Sequence, residues 1–354
     1  MFKQMTNRPL AIITATLLLA SIVGCENPTK PDITKTPTTP TTATTQPNET
    51  SLSATISYTP YDAVGMKWSR GGKDRNVVWT TSGGESGKLL VSKGDKNKRP
   101  DWAFTSQGVA SSLAARGEKV VIIATVYTDD SAILPVFRKP KKPLAGTQSL
   151  FIPRSSIEFA FDNLLKREGV NREDVKVPKV ENISFPTIAS LLTKPATDKD
   201  ALDFGILVEP FITNVVQKNP DQYEIGKGGL YDLHYSVVVR EEDLKANRPK
   251  YVALLRQLLE EDKKIAAFPD DATFYKEVWG RQRDGQPELL PKTLTYKRSA
   301  AKVQLQVSKL RTLIRDELTY LTKKYPDQLK MPENIDAIVD PSLLQEVASD
   351  RVTQ

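Results

Sequence analysis

The run KVVIIATV, Lys119 to Val126, constrains the fold more than any other stretch of the chain. It is apolar on both faces of an extended segment, so both faces must be covered. That places it inside a layered α/β sheet whose faces carry helices. The surrounding pattern agrees. Ser53–Tyr58, Arg75–Thr80 and Ala103–Thr105 read as further strands, with helices expected over Ser86–Lys93 and Gly108–Arg116. The alternation then repeats. Leu150–Pro153 leads into SSIEFAFDNLLKREG, an amphipathic helix with Ser155 as N-cap and Gly169 as its stop. Val175–Val180 is expected as a strand, Phe185–Leu192 as a helix and Leu202–Val208 as a strand. A helix then opens at Glu209-Pro210-Phe211, with proline in its first turn. From Glu241 the chain reads as almost wholly helical, including RPKYVALLRQLLEEDKKIAAF and AAKVQLQVSKLRTLIRDELTYLTKKY. Two α/β units are thus followed by helices that close back on them.

The chain begins with Lys3 and Arg8, an apolar stretch, and then Ile22-Val23-Gly24-Cys25. The stretch is too short to span a bilayer comfortably and has the layout of a secretory signal. The four residues at its end resemble the lipobox of bacterial lipoproteins, which implies removal of residues 1–24 and acylation of Cys25. Cys25 is the only cysteine, so no disulfide framework and no catalytic thiol remain. Residues 25–51 are dominated by Thr and Pro and cannot bury enough to order themselves. They read as a semi-extended tether of about 3 Å per residue. The formal charge of +7 includes Lys3 and Arg8, which leaves +5 on the remainder. No block of basic residues interleaved with aromatics suggests nucleic-acid binding.

TTSGGESGKLL, Thr80–Leu90, looks at first like a phosphate loop. Ser82 stands where the first glycine of a Walker A loop is needed, and Leu89 where the hydroxyl is needed, so nucleotide binding is not expected. One histidine, His234, and one cysteine leave no Ser/His/Asp order, metal-ligand spacing or dinucleotide fingerprint. Neither an enzyme, a cofactor nor a metal site is expected. His234 reads as a packing residue near a hinge.

From about Ser53 to Val347 the order of segments resembles the substrate-binding proteins of ABC importers, in the branch for nitrate, sulfonates, taurine and thiamine-pyrimidine precursors. The segments that carry the resemblance are ISYTPYD, TTSGGES, DWAFTSQGVASSLAARGEKVVIIATVY, SLFIPRSSIEFAFDNLLKREGVNREDVKV, DALDFGILVEPF and MPENIDAIVDPSLLQEV. The resemblance implies a two-lobed, type 2 periplasmic-binding-protein-like α/β fold. Each lobe would be a mainly parallel sheet flanked by helices, with C-terminal helices packing on lobe I. Lobe I would span 52–137 and 236–354, and lobe II 138–235, with crossings near Leu134–Arg138 and His234–Val239. TTSGGES would then be a strand-to-helix turn.

Ligands of open α/β sheets sit beyond the carboxyl ends of strands, at helix N-termini. With the resemblance, this nominates Thr105, Ser106 and Gln107 beside Gly108, Arg154, Ser155 and Ser156 at the first lobe II helix, and Tyr58 and Tyr61 in the first strand-loop. Ser155 could equally be only a cap, Arg154 only a solvated cation and Tyr58 a core residue. Glu209 is the awkward member. It could pair with Arg154, bind a ligand amine, or sit in a helix first turn. The resemblance implies a monomeric, exported, lipid-anchored receptor that passes a small anionic or zwitterionic solute such as sulfonate, nitrate or taurine to permease subunits. The alternative is a lipid-anchored sensor or interaction module that keeps the fold without transport.

Overall fold

The computed structural model describes residues 53–72, 75–94, 99–279 and 292–354. The signal, the tether and Cys25 lie outside the described residues. Among the described residues eleven strands run in chain order: β1 Ser53–Ser57, β2 Asn76–Thr80, β3 Trp102–Ser106, β4 Val120–Asp129, β5 Ile133–Arg138, β6 Ser149–Leu150, β7 Phe204–Val208, β8 Tyr223–Ile225, β9 Leu233–Arg240, β10 Ala301–Gln306 and β11 Val352–Thr353. They form a seven-stranded sheet, in the order β11-β10-β4-β9-β3-β1-β2, and a four-stranded sheet, in the order β6-β7-β5-β8. The helices are α1 Ala63–Ser69, α2 Gly83–Leu90, α3 Gln107–Ala115, α4 Ser156–Arg167, α5 Phe185–Thr193, α6 Phe211–Lys218, α7 Glu241–Ala246, α8 Arg248–Ala266, α9 Asp271–Val278, α10 Val307–Lys324 and α11 Ser342–Val347.

The sheets are mixed rather than mainly parallel. β1 pairs in parallel with β2 and β3, as short βαβ units require. β9 lies between β3 and β4 and runs antiparallel to both, because it carries the chain back from the smaller sheet. β5 is likewise antiparallel to its neighbours β7 and β8. The outward crossing falls between Asp129 and Ile133 and the return between Ile225 and Leu233. Both lie a few residues before the expected positions; Leu134–Arg138 belongs to β5 and His234–Val239 to β9.

β4 is as buried as its apolar run requires, and Ile122, Ile123, Ala124 and Val126 are fully enclosed. Trp68 of α1 meets Trp102 edge-on at 4.9 Å, and Trp102 meets Phe104 at 4.6 Å, which closes one face of the large sheet. On the other side α10 lies along α3.

Two expected elements differ. Val175–Val180 forms no strand beyond a single bridge from Lys176 to Gln148. Pro178 lacks the N–H that a ladder needs, and Val177 is exposed. The start of AAKVQLQVSK, expected as helix, is β10. Ala301, Val303 and Leu305 are buried while Lys302 is exposed, a period of two that outweighs the helical spacing further on.

Candidate functional site

The carboxyl ends of β1 and β3 and the amino end of the antiparallel β9 converge on a buried polar group. Asp62 Oδ2 accepts from the Ser57 amide at 2.8 Å and from the Ser57 hydroxyl at 2.5 Å. The Ser57 hydroxyl also lies 2.7 Å from that of Tyr235 and 3.0 Å from that of Thr59. Asp62 is fully buried, and Oδ1 has no partner among the described residues. Burial pushes its carboxyl up to about 8, against the opposing hydrogen bonds from Ser57.

TTSGGES closes over this group as a strand-to-helix turn. Ser82 caps α2 by accepting from the Glu85 amide, while the Glu85 side chain reaches back to the Thr81 amide at 2.9 Å. Gly83 is required there: a Cβ would lie 2.7 Å from the Tyr235 hydroxyl and 3.1 Å from Thr105 Oγ1. The Thr105 hydroxyl donates to the Gly83 carbonyl at 2.7 Å.

Glu209 follows β7 directly, precedes a cis bond to Pro210, and is fully buried. Its carboxyl oxygens accept from the Thr213 amide (3.2 Å) and hydroxyl (3.0 Å), and from the Thr295 amide (3.0 Å) and hydroxyl (2.8 Å). The Glu209 amide donates to the Tyr61 hydroxyl at 3.0 Å, and that hydroxyl donates to the Ala132 carbonyl at 2.9 Å. Around Tyr61 stand Tyr127 at 4.9 Å, Tyr235 at 6.0 Å and Tyr296 at 6.4 Å between ring centres. Burial raises the hydroxyl pKa of Tyr61, Tyr235 and Tyr296, so these remain neutral donors and acceptors.

Of the nominated residues, only Tyr61 and Glu209 are joined directly. Tyr58 is half-buried and stacks on Trp79 at 5.0 Å. Ser106 caps α3 through the Val109 amide. The Gln107 side chain donates to the Asp232 carbonyl at 2.6 Å and accepts from the His234 amide at 2.8 Å, which pins the returning crossover. Gly108 faces a carboxyl of the protein itself: a Cβ there would lie 2.3 Å from Glu317 Oε1 and 2.7 Å from the Tyr231 hydroxyl. Ser156 bonds to the same tyrosine. His234 is fully buried, with Nε2 3.4 Å from Asp232.

Arg154 does not pair with Glu209. It is exposed, adopts a left-handed backbone (φ 58°) and donates to Gln328. Ser155 is the α4 cap, accepting from the Ile157 amide at 3.1 Å. The first turn of α4 already holds a carboxylate. Glu158 is fully buried and accepts from the Arg154 amide (2.7 Å), Arg172 (2.8 Å), Lys324 (3.0 Å) and the Tyr325 hydroxyl (2.7 Å).

Asp62, Ser57, Tyr235, Thr213, Thr295 and Tyr296 were not nominated. Asp62 lay within the quoted ISYTPYD, so a signal for it existed. Thr295 comes from a segment with no pattern of its own, and only the fold brings it to Glu209. Among the described residues no group of three or more His, Cys, Asp or Glu is placed to hold a metal ion. No described helix is long and apolar enough to cross a membrane.

No family model and no curated protein matches the sequence. Solved structures do. The periplasmic aliphatic sulphonate binding protein SsuA from Escherichia coli superposes with a TM-score of 0.60 at 12% identity, over 82% of this chain and 92% of that one. The periplasmic nitrate-binding protein NrtA from Synechocystis PCC 6803 gives 0.58 at 11% identity, over 84% and 88%. The desulfurization enzyme DSZB gives 0.53 at 11% identity, over 84% and 99%, so this architecture supports catalysis as well as binding. The sheet topology and these superpositions together give the chain the two-sheet α/β fold of the periplasmic binding proteins of ABC importers.

Proposed function

We propose that the chain is the solute-binding receptor of an ABC importer, exported and held to the cell envelope through acylated Cys25 and its Thr/Pro tether. A solute taken up between the two sheets shifts the protein toward the closed form that docks on permease subunits. The shift can be no larger than the solute's differential affinity for the two forms.

The observation that carries the ligand class is Glu209, buried just after β7 beside the tyrosine cluster, with hydrogen-bond donors and, among the described residues, no cation around its carboxyl group. Such a group favours a solute with a charged or protonatable nitrogen, and the rings of Tyr61, Tyr127 and Tyr296 suit a cation or a flat heterocycle. A zwitterion such as taurine, or a basic heterocycle, therefore fits better than nitrate or a simple sulfonate. Arg154, the cation nominated for an anion, turns instead to Gln328.

A second reading is a lipid-anchored sensor or interaction module. It is favoured by the partners that Thr105, Ser106, Gln107, Ser155, Ser156 and Glu209 find within the protein itself.

A thermal-unfolding screen against taurine, aminopyrimidines, choline, alkanesulfonates, bicarbonate and nitrate separates the two. A ligand at a hundred times its dissociation constant stabilises by about 2.7 kcal/mol, a shift of a few degrees. Shifts confined to nitrogen-bearing cations and zwitterions support the receptor and its ligand class. Shifts from nitrate or sulfonates alone overturn the ligand class, and a flat panel favours the interaction module.

A further inference from the structure

Thr293–Lys297 supplies donors to the Glu209 site beside those of Thr213. The Thr295 amide and hydroxyl both donate to Glu209 Oε1, at 3.0 and 2.8 Å, and the Leu294 amide donates to the Thr213 hydroxyl at 2.8 Å. Two donors converging on one carboxyl oxygen, with a third alongside, is the arrangement that an ammonium or amidine group would present. The segment is held at its C-terminal end, where the Lys297 amide donates to the Tyr127 hydroxyl at 3.3 Å and the Lys297 ammonium pairs with Asp129 at 2.9 Å. Tyr296 stacks on Tyr127 at 5.1 Å and 17° and meets Trp279 at 5.1 Å. The segment's other contacts, those of Thr293 and Leu294 and of the Tyr296 hydroxyl, are poor for a permanent element of the core. Leu294 is 47% exposed, and the buried hydroxyls of Thr293 and Tyr296 have no partner among the described residues. The segment also belongs to neither sheet.

We infer that Thr293–Lys297 is a built-in competitor for the solute: Thr295 occupies Glu209 and is displaced by a nitrogen-bearing ligand, so Thr295 sets both affinity and selectivity. This rests on the receptor reading above. Displacement exchanges the donors of Thr295 for those of the solute at the same oxygen, while Tyr296 and Lys297 keep the segment attached. The apparent dissociation constant is the intrinsic one divided by the fraction of molecules whose segment is out. A ligand without N–H or N⁺ character gains nothing from Glu209 and cannot displace it.

The test compares wild type with Thr295→Val by calorimetric titration, using taurine, 4-aminopyrimidine and choline as probes and nitrate as the anion control. Hydrogen exchange of the Leu294 and Thr295 amides is read in the wild type with and without each probe. Removing one hydroxyl bond should tighten binding of the nitrogen-bearing probes about fivefold and leave nitrate unchanged. In the wild type, saturation with such a probe should speed exchange at both amides. Binding by the variant alone also supports the inference. Equal affinities, with both amides still protected in the bound wild type, overturn the competitor and leave the receptor intact. Binding of no probe to either protein overturns both. The exchange readout needs no variant, so a poorly folded Thr295→Val would not spare the inference.

Discussion

The Tyr61 hydroxyl accepts the Glu209 amide at 3.0 Å and donates to the Ala132 carbonyl at 2.9 Å. One side chain from the loop after β1 thus ties the outward crossover to the end of β7 in the smaller sheet. All three groups are buried, so neither peptide group has water as an alternative partner. Tyr61→Phe keeps the ring contacts and orphans an N–H and a C=O. The expected cost is about 1–3 kcal/mol, read as a lower urea midpoint at constant m-value. An unchanged midpoint would show that the bridge contributes nothing to stability.

Asp62 and Glu317 make stability fall as pH rises. Burial pushes each carboxyl up to about 8, against hydrogen bonds from Ser57 in one case and from Tyr231 and Ser111 in the other. Between about pH 4 and pH 8 the folded protein therefore holds protons that the unfolded chain has released. Each group's contribution is fully present below its unfolded pKa and is lost as pH rises through the folded value. The slope approaches about 1.4 kcal/mol per pH unit for each group. Denaturation of wild type, Asp62→Asn and Glu317→Gln at pH 5, 6.5 and 8 should show each substitution flattening part of it. A parallel decline in all three proteins would refute the assignment.

Gly108→Ala should destabilise through Glu317 rather than through any ligand. The new methyl would sit 2.3 Å from Glu317 Oε1, so α10 must move off α3 or the carboxyl must rotate away from Tyr231. Overpacking of this kind costs about 1–3 kcal/mol. A double-mutant cycle with Glu317→Ala should recover much of it, whereas additivity would mean that the strain lies elsewhere.

Glu158 anchors α4 to the end of α10. Its carboxyl is fully buried, while Arg172 and Lys324 are 31% and 26% exposed. Removing one member of a buried ion pair costs about 3–5 kcal/mol, and the partial exposure of these cations puts Glu158→Ala at the lower end, about 3 kcal/mol. Tyr325→Phe removes one neutral donor to the same carboxyl and should cost about 1 kcal/mol. Equilibrium denaturation checks both; equal effects would show that the cations add nothing.

Much of the architecture was readable because it rests on neighbours along the chain. The apolar run at Val120–Val126 demanded a covered strand, Ser155 capped the helix it preceded, and TTSGGES turned into α2. Where competing local signals met, the longer pattern misled. AKVQLQ carries a clear two-residue alternation, but it adjoins an eighteen-residue helix and was absorbed into it. In Val175–Val180 the single residue Pro178 outweighed an apolar run.

The sequence by itself determined many of the strands and helices, among them β1 to β4, α4 and α5, and it marked Tyr61 and Glu209 as residues worth following. Only the tertiary structure decided what they face. Glu209 meets Thr295, 86 positions away, rather than Arg154, and Gly108 meets the carboxyl of Glu317 rather than a solute. Periodicity and capping are interactions over one or two turns and leave a trace in residue order. The partner of a buried carboxyl is chosen by how distant elements close on one another, because burial without a donor costs too much to persist. That choice leaves no periodic trace along the chain.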